Sequence, residues 1–86
     1  MKIIKRNGAE VQFDGNKIIT AISKANDAIA EEYQMTPKQI DRIAERVILA
    51  CEHLGHSPSV EEVQDLVEHQ IMAHGAFEVA KAYITY

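Results

Sequence analysis

Eighty-six residues make a single domain with one small core, burying on the order of 60% of the unfolded surface, and leave no room for a second. A composition of 47% hydrophobic and 26% charged residues with no tryptophan is that of a folded globular chain and argues against disorder. The net charge of −4 is uneven: Lys2, Lys5, Arg6 and Lys17 against Glu10 and Asp14 give +2 over residues 1–17 and leave −6 for the remainder, a pattern that suits a small polyanion better than a nucleic-acid duplex.

In chain order, "IIK" (Ile3–Lys5) and "VQF" (Val11–Phe13) flank Asn7-Gly8, the strongest short signal for a β-hairpin, because both turn residues accept positive φ. Two registers remain open at this level. A two-residue turn pairs Ile4 with Val11, and a three-residue turn with a glycine bulge is expected to pair Lys5 with Val11; a slip of one residue exchanges the faces.

The period then becomes helical. Ile18, Ile22, Ala25 and Ile29 form one apolar stripe with Asp14 as N-cap, so a first helix is expected from about Asn16 to about Tyr33. "TPKQ" opens a second, with Thr36 as cap, Pro37 at the first position and Gln39 three residues after the cap. Its stripe is Ile40, Ile43, Val47, Cys51 and Leu54, and Gly55 stops it. "SVEE" repeats the device for a third helix, with Ser59 as cap, Glu62 reaching back, Val60, Val63, Val67 and Ile71 inward, and an end at His74-Gly75. A fourth, from about Phe77 to the chain end, presents Val79, Ala80, Tyr83 and Ile84. The expected architecture is α+β, a β-hairpin lid on a four-helix bundle. An isolated hairpin is marginal in water, so its apolar side must rest on the helices, and any gap beneath it is a natural pocket.

One cysteine, Cys51, rules out an internal disulfide and a four-cysteine zinc site, which fits a reducing compartment. "MKIIKRNG" is too briefly apolar for a signal peptide or a membrane span, so a cytoplasmic protein is expected. Cys51, His53, His56, His69 and His74 match no metal-ligand spacing, and Cys51 on the apolar stripe reads as core. The acids of Glu61–Glu68 read as a solvated face. Neither a G-x-x-x-x-G-K-[ST] loop nor a nucleophile elbow is present, so catalysis by this chain alone is not expected.

Lys5 and Arg6 end a strand beside a tight turn, and Lys17 stands in the first turn of a helix, where free N–H groups and the macrodipole favour an anion. Phosphate is the expected guest, since arginine offers a bidentate fork and lysine a point charge. Lysine and arginine at hairpin turns are more often simply solvated. A helical protein-interaction module without a small ligand is therefore the alternative reading, and a DNA-binding helical domain the third.

"KRNGAEVQFDGNKI" followed by "SVEEVQDLVEHQIMAHGAFEVAKAYITY" resembles the ATP-cone, a small regulatory nucleotide-binding domain at the N-terminus of many ribonucleotide reductases and in their transcriptional repressor. Nearly the whole chain is covered. The resemblance implies a hairpin closing over ATP or dATP, with magnesium possible on the triphosphate, and a signal passed without hydrolysis to an attached reductase catalytic domain or to a nucleotide-dependent homo-oligomer. It implies that Lys5, Arg6 and Lys17 hold phosphates, that Ile3 and Val11 line the base, and that Asp14 lies near base or ribose. Val60 and Gln64 would form the floor, with Lys81 a further phosphate contact. These roles favour the bulged hairpin, which puts Ile3, Lys5, Val11 and Phe13 on one face.

Departures from the family pattern are Asn7 for aspartate, Gly15 where a larger residue is common, expected to loosen the helix start, and an end at Tyr86 just before a usual arginine. The expectation is one regulatory domain over residues 1–86, the N-terminal fragment of a longer protein, closest to the anaerobic ribonucleoside-triphosphate reductase branch. The repressor branch carries a cysteine zinc ribbon that a single cysteine cannot form.

Overall fold

The computed structural model describes residues 1–85. Strands β1 (Lys2–Ile4) and β2 (Glu10–Gln12) form an antiparallel hairpin, and helices α1 (Gly15–Asp27), α2 (Pro37–Glu52), α3 (Val60–Ala73) and α4 (Phe77–Thr85) follow. The α+β arrangement of hairpin and four helices is the one expected; Tyr86, the expected end of α4, lies outside the described residues.

The hairpin uses the three-residue loop Arg6-Asn7-Gly8. Gly8 N–H donates to the Lys5 carbonyl and Lys5 N–H to the Ala9 carbonyl, both at 2.9 Å, with Gly8 at φ +85°, the conformation a glycine bulge requires. The bulged turn is thus the one formed, but the pairing expected with it is corrected: Ile3, not Lys5, stands opposite Val11. With three residues in the loop, Lys5 faces Ala9, and each later pair falls two positions back. A shift of two preserves the faces, so Ile3, Lys5, Val11 and Phe13 still share one side.

Three of the four helix starts follow their capping signals. Asp14 Oδ1 accepts from Asn16 N–H at 3.0 Å. Thr36 and Ser59 form reciprocal capping boxes with Gln39 and Glu62, satisfying two otherwise orphaned N–H groups each. Gly15 is the first residue of α1, and a Cβ there would stand 2.9 Å from Ile48 Cδ1. The absent side chain therefore leaves room for Ile48 of α2 against the start of α1.

The first helix ends six residues earlier than expected, at Asp27 instead of Tyr33. Asn26 is buried; its Oδ1 accepts from Met35 N–H at 2.7 Å and its Nδ2 donates to the Met35 carbonyl at 3.0 Å. That side chain supplies a backbone-like pair to the returning chain and turns it toward α2. Residues Glu31–Tyr33 form a separate 3-10 turn. Ile29 still packs against the core, but from the loop.

Helices α1–α2, α2–α3, α3–α4 and α4–α1 pack in a closed ring around Ile22, Ile43, Val47, Val67, Ile71 and Val79, each buried to 1% exposure or less. Leu54 and Ile84 depart from the inward stripes: Leu54 lies beyond the end of α2 at Glu52 and outside the core cluster, and Ile84, expected to face the core, is 58% exposed and lines a surface groove instead. The hairpin is held to this ring by backbone: Ile4 N–H donates to the carbonyl of buried Pro58 at 2.9 Å, and Ile4 bridges Ser59 in parallel. One strand edge is therefore pinned at the start of α3.

Candidate functional site

Between the hairpin and the ring lies a cavity of about 230 Å³. Strand alternation sends Ile3 and Val11 to its roof, with Phe13 beside them. The opening turns of α1 contribute Asp14, Lys17, Ile18 and Ala21 to one wall, and α3 contributes Val60, Val63, Gln64 and Val67 to the other; Tyr83 closes the end from α4. Val60 and Val63 are only half-buried because the helix surface they cover faces this hollow instead of another element.

The cavity continues into a groove of about 660 Å³ that shares Lys17, Ala21, Gln64 and Tyr83 with it. These four residues form a neck. Beyond the neck, α1 supplies Thr20 and Lys24 and α3 supplies Asp65 and Glu68, while Arg6 reaches the groove from the hairpin loop. The site thus has an apolar compartment joined to a polar one with a basic α1 wall and an acidic α3 wall.

Arg6 Nε donates to Glu61 Oε1 at 2.8 Å, with both side chains more than half exposed. The Glu61 carboxyl is held below the ordinary glutamate range, first by its backbone N–H at the start of α3 and then by Arg6. Burial pushes the Tyr83 phenol above its ordinary value, and Glu68 adds to this by repelling a phenolate. The neck therefore presents Tyr83 as a neutral hydroxyl. Burial likewise raises the Cys51 thiol, with smaller contributions from Glu62 and Glu52, and Cys51 is 1% exposed in the core.

Seven of the nine residues singled out in the sequence border this connected hollow. Ile3, Val11, Asp14 and Val60 line the cavity, Lys17 and Gln64 form the neck, and Arg6 lines the groove. Lys5 and Lys81 are exposed and border neither compartment. Sequence reasoning missed Thr20, Ala21 and Lys24. Their signal was available: from Lys17 they stand at i+3, i+4 and i+7, one helix face. Tyr83 read as a core contact, and only the α1–α4 packing reveals it at the neck.

Among the described residues no group of three or more His, Cys, Asp or Glu side chains could hold a metal ion, and no helix is long and apolar enough to cross a membrane.

The family model that matches is the ATP cone domain, over residues 1–86. Similar proteins include a ribonucleoside-diphosphate reductase subunit alpha of Chlamydia pneumoniae, 36% identical over 98% of this chain and 9% of that protein. A vitamin B12-dependent ribonucleoside-diphosphate reductase of Thermoplasma acidophilum is 36% identical over 99% of this chain and 11% of that protein. An anaerobic ribonucleoside-triphosphate reductase of Haemophilus influenzae is 34% identical over 98% of this chain and 12% of that protein. The chain thus spans about a tenth of the length of these relatives. With the family model covering the chain from end to end, and a hairpin over four helices as its fold, the chain belongs to the ATP cone domain family.

Proposed function

We propose that this chain is a regulatory domain that binds ATP or dATP without hydrolysing it and controls the activity or oligomerisation of an attached ribonucleotide reductase catalytic domain. The observation that carries the reading is the two-compartment hollow. An apolar cavity under the hairpin opens, past Lys17, into a groove walled by Arg6 and Lys24, which is the polarity order of a nucleoside followed by its phosphates.

Ile3 and Val11 cover the base, Val60 and Gln64 floor it, and Asp14 accepts hydrogen bonds from ribose or base at the cavity's edge. Lys17 and Arg6 take the phosphates by charge-assisted hydrogen bonds, worth about 1.5–3 kcal/mol each. Lys5 and Lys81 serve as outer phosphate contacts that require the hairpin and α4 to close on the ligand. Magnesium would be held mainly by phosphate oxygens and water, in keeping with an ion that retains its waters, and Asp65 and Glu68, which line the groove, are the acidic groups that could hydrogen-bond to those waters. Regulation requires that nucleotide favour one of two global states, a coupling of about 1–3 kcal/mol. The relatives' names supply the class of catalytic domain that would receive the signal.

Isothermal titration with ATP and with dATP tests this reading, together with thermal unfolding in millimolar nucleotide. Binding heat and a rise in melting temperature are expected, since a ligand at a hundredfold excess over its Kd stabilises the fold by about 2.7 kcal/mol. Absence of both identifies the chain instead as a helical interaction module.

A further inference from the structure

We propose that Lys24 is the residue that distinguishes a nucleoside triphosphate from the diphosphate, by engaging the terminal phosphate at the far end of the groove; this rests on the nucleotide reading above. Lys17 and Lys24 lie on one face of α1, seven residues and thus about 10 Å apart along the axis, and both line the same groove. Lys17 also borders the apolar cavity, whereas Lys24 borders only the groove. A nucleoside seated under the hairpin therefore meets Lys17 with its first phosphates. Only a longer tail reaches Lys24, across a span that the triphosphate and two extended lysine side chains bridge.

The facing wall sets the direction of the tail. Asp65 and Glu68 line the groove from α3, and their carboxylates repel phosphate toward α1, where Thr20 stands between the two lysines as a hydroxyl donor. Among the described residues Lys24 makes no salt bridge, so its ammonium is not committed to either acid. Its position in the last turn of α1 also complements the helix dipole, but that contribution is indifferent to what fills the groove.

The test is titration of the full chain with ATP and with ADP at fixed magnesium, for the wild type, Lys24→Ala and Lys24→Arg. The wild type is expected to prefer ATP. Lys24→Ala lowers ATP affinity roughly tenfold, the lower end of the scale for one charge-assisted contact, leaves ADP affinity within about twofold, and removes the preference; Lys24→Arg restores it. Equal losses for ATP and ADP, or no loss for either, overturn the assignment while leaving nucleotide binding intact. A wild type that binds ATP and ADP equally also overturns it. A wild type that binds neither overturns the nucleotide reading itself, and this inference with it. Circular dichroism melts of both variants separate a loss of fold from a loss of contact.

Discussion

Arg6 and Glu61, 55 positions apart in the chain, meet at 2.8 Å and join the tip of the hairpin to the first turn of α3. The same arginine lines the groove, so on the proposed reading Glu61 and a triphosphate would compete for one guanidinium. Glu61→Gln keeps the side-chain shape and removes the competing charge. Affinity for ATP is expected to rise, by no more than about fivefold, because an exposed ion pair is worth little in water. Titration at low and at high salt checks this, with the gain shrinking as salt screens the pair; a loss of affinity contradicts competition and makes Glu61 part of the bound site.

Lys17 stands at the neck between the two compartments, where, on the proposed reading, a bound nucleotide would extend past it. Lys17→Ala should weaken ATP binding by about 1.5–3 kcal/mol, whereas Lys5→Ala, at a position bordering neither compartment, should cost less. Both variants should melt near the wild-type temperature, since both side chains are exposed. Isothermal titration of the pair gives the order directly, and a larger loss for Lys5 would move the phosphates out of the groove to the outer face of the hairpin.

Stability should depend on pH through the start of α3. Glu61 and Glu62 both have carboxyls held below the ordinary glutamate value, Glu62 first by hydrogen bonding to the Ser59 backbone and then by His56. A depressed native pKa contributes stability that is present above the unfolded value and lost as pH falls through the native one. The melting temperature should therefore hold down to about pH 5 and decline below it, with a shallower decline in Glu62→Gln. Glutamine retains the reciprocal contact of the capping box but has no charge to lose. Calorimetric scans across that range decide the point.

Asn26 closes the turn after α1 through two hydrogen bonds to Met35. Asn26→Ala leaves the buried Met35 N–H and carbonyl without those partners and should destabilise the domain by roughly 1–3 kcal/mol for each group that water cannot reach. Asn26→Asp should also destabilise, since a carboxylate cannot donate to the Met35 carbonyl. Equilibrium denaturation measures both effects. Nucleotide affinity, once the fold is saturated at low temperature, should be unchanged, because the turn lies on the α1–α2 side of the ring, away from the hairpin cavity.

Helix starts and inward stripes were legible in the sequence because their causes are local. A Thr or Ser followed three residues later by Gln or Glu satisfies its own backbone donors at Thr36 and Ser59, and the spacing of Ile18, Ile22, Ala25 or Ile40, Ile43, Val47 sets one face whatever the partner. The end of α1 was not legible, because the bonds that stop it join Asn26 to a residue nine positions later, and periodicity is blind to such a partner. The hairpin register also escaped, and the residues left the turn type open until the family resemblance favoured the bulge: Asn7-Gly8 announces a bend, while the three-residue loop that puts Ile3 opposite Val11 needs the ladder itself.

The sequence by itself determined which side chains are apolar, charged or able to cap, and hence where three of the four helices begin and which faces they bury. Only the tertiary structure decided that Lys24 and Arg6, eighteen positions apart, open on one groove with Asp65 and Glu68, and that Lys5 stays outside it. The reason is physical. A periodic pattern reports a residue's face on its own element, but a binding hollow is the space left where several elements fail to touch, and that depends on how α1, α3, α4 and the hairpin are placed against one another.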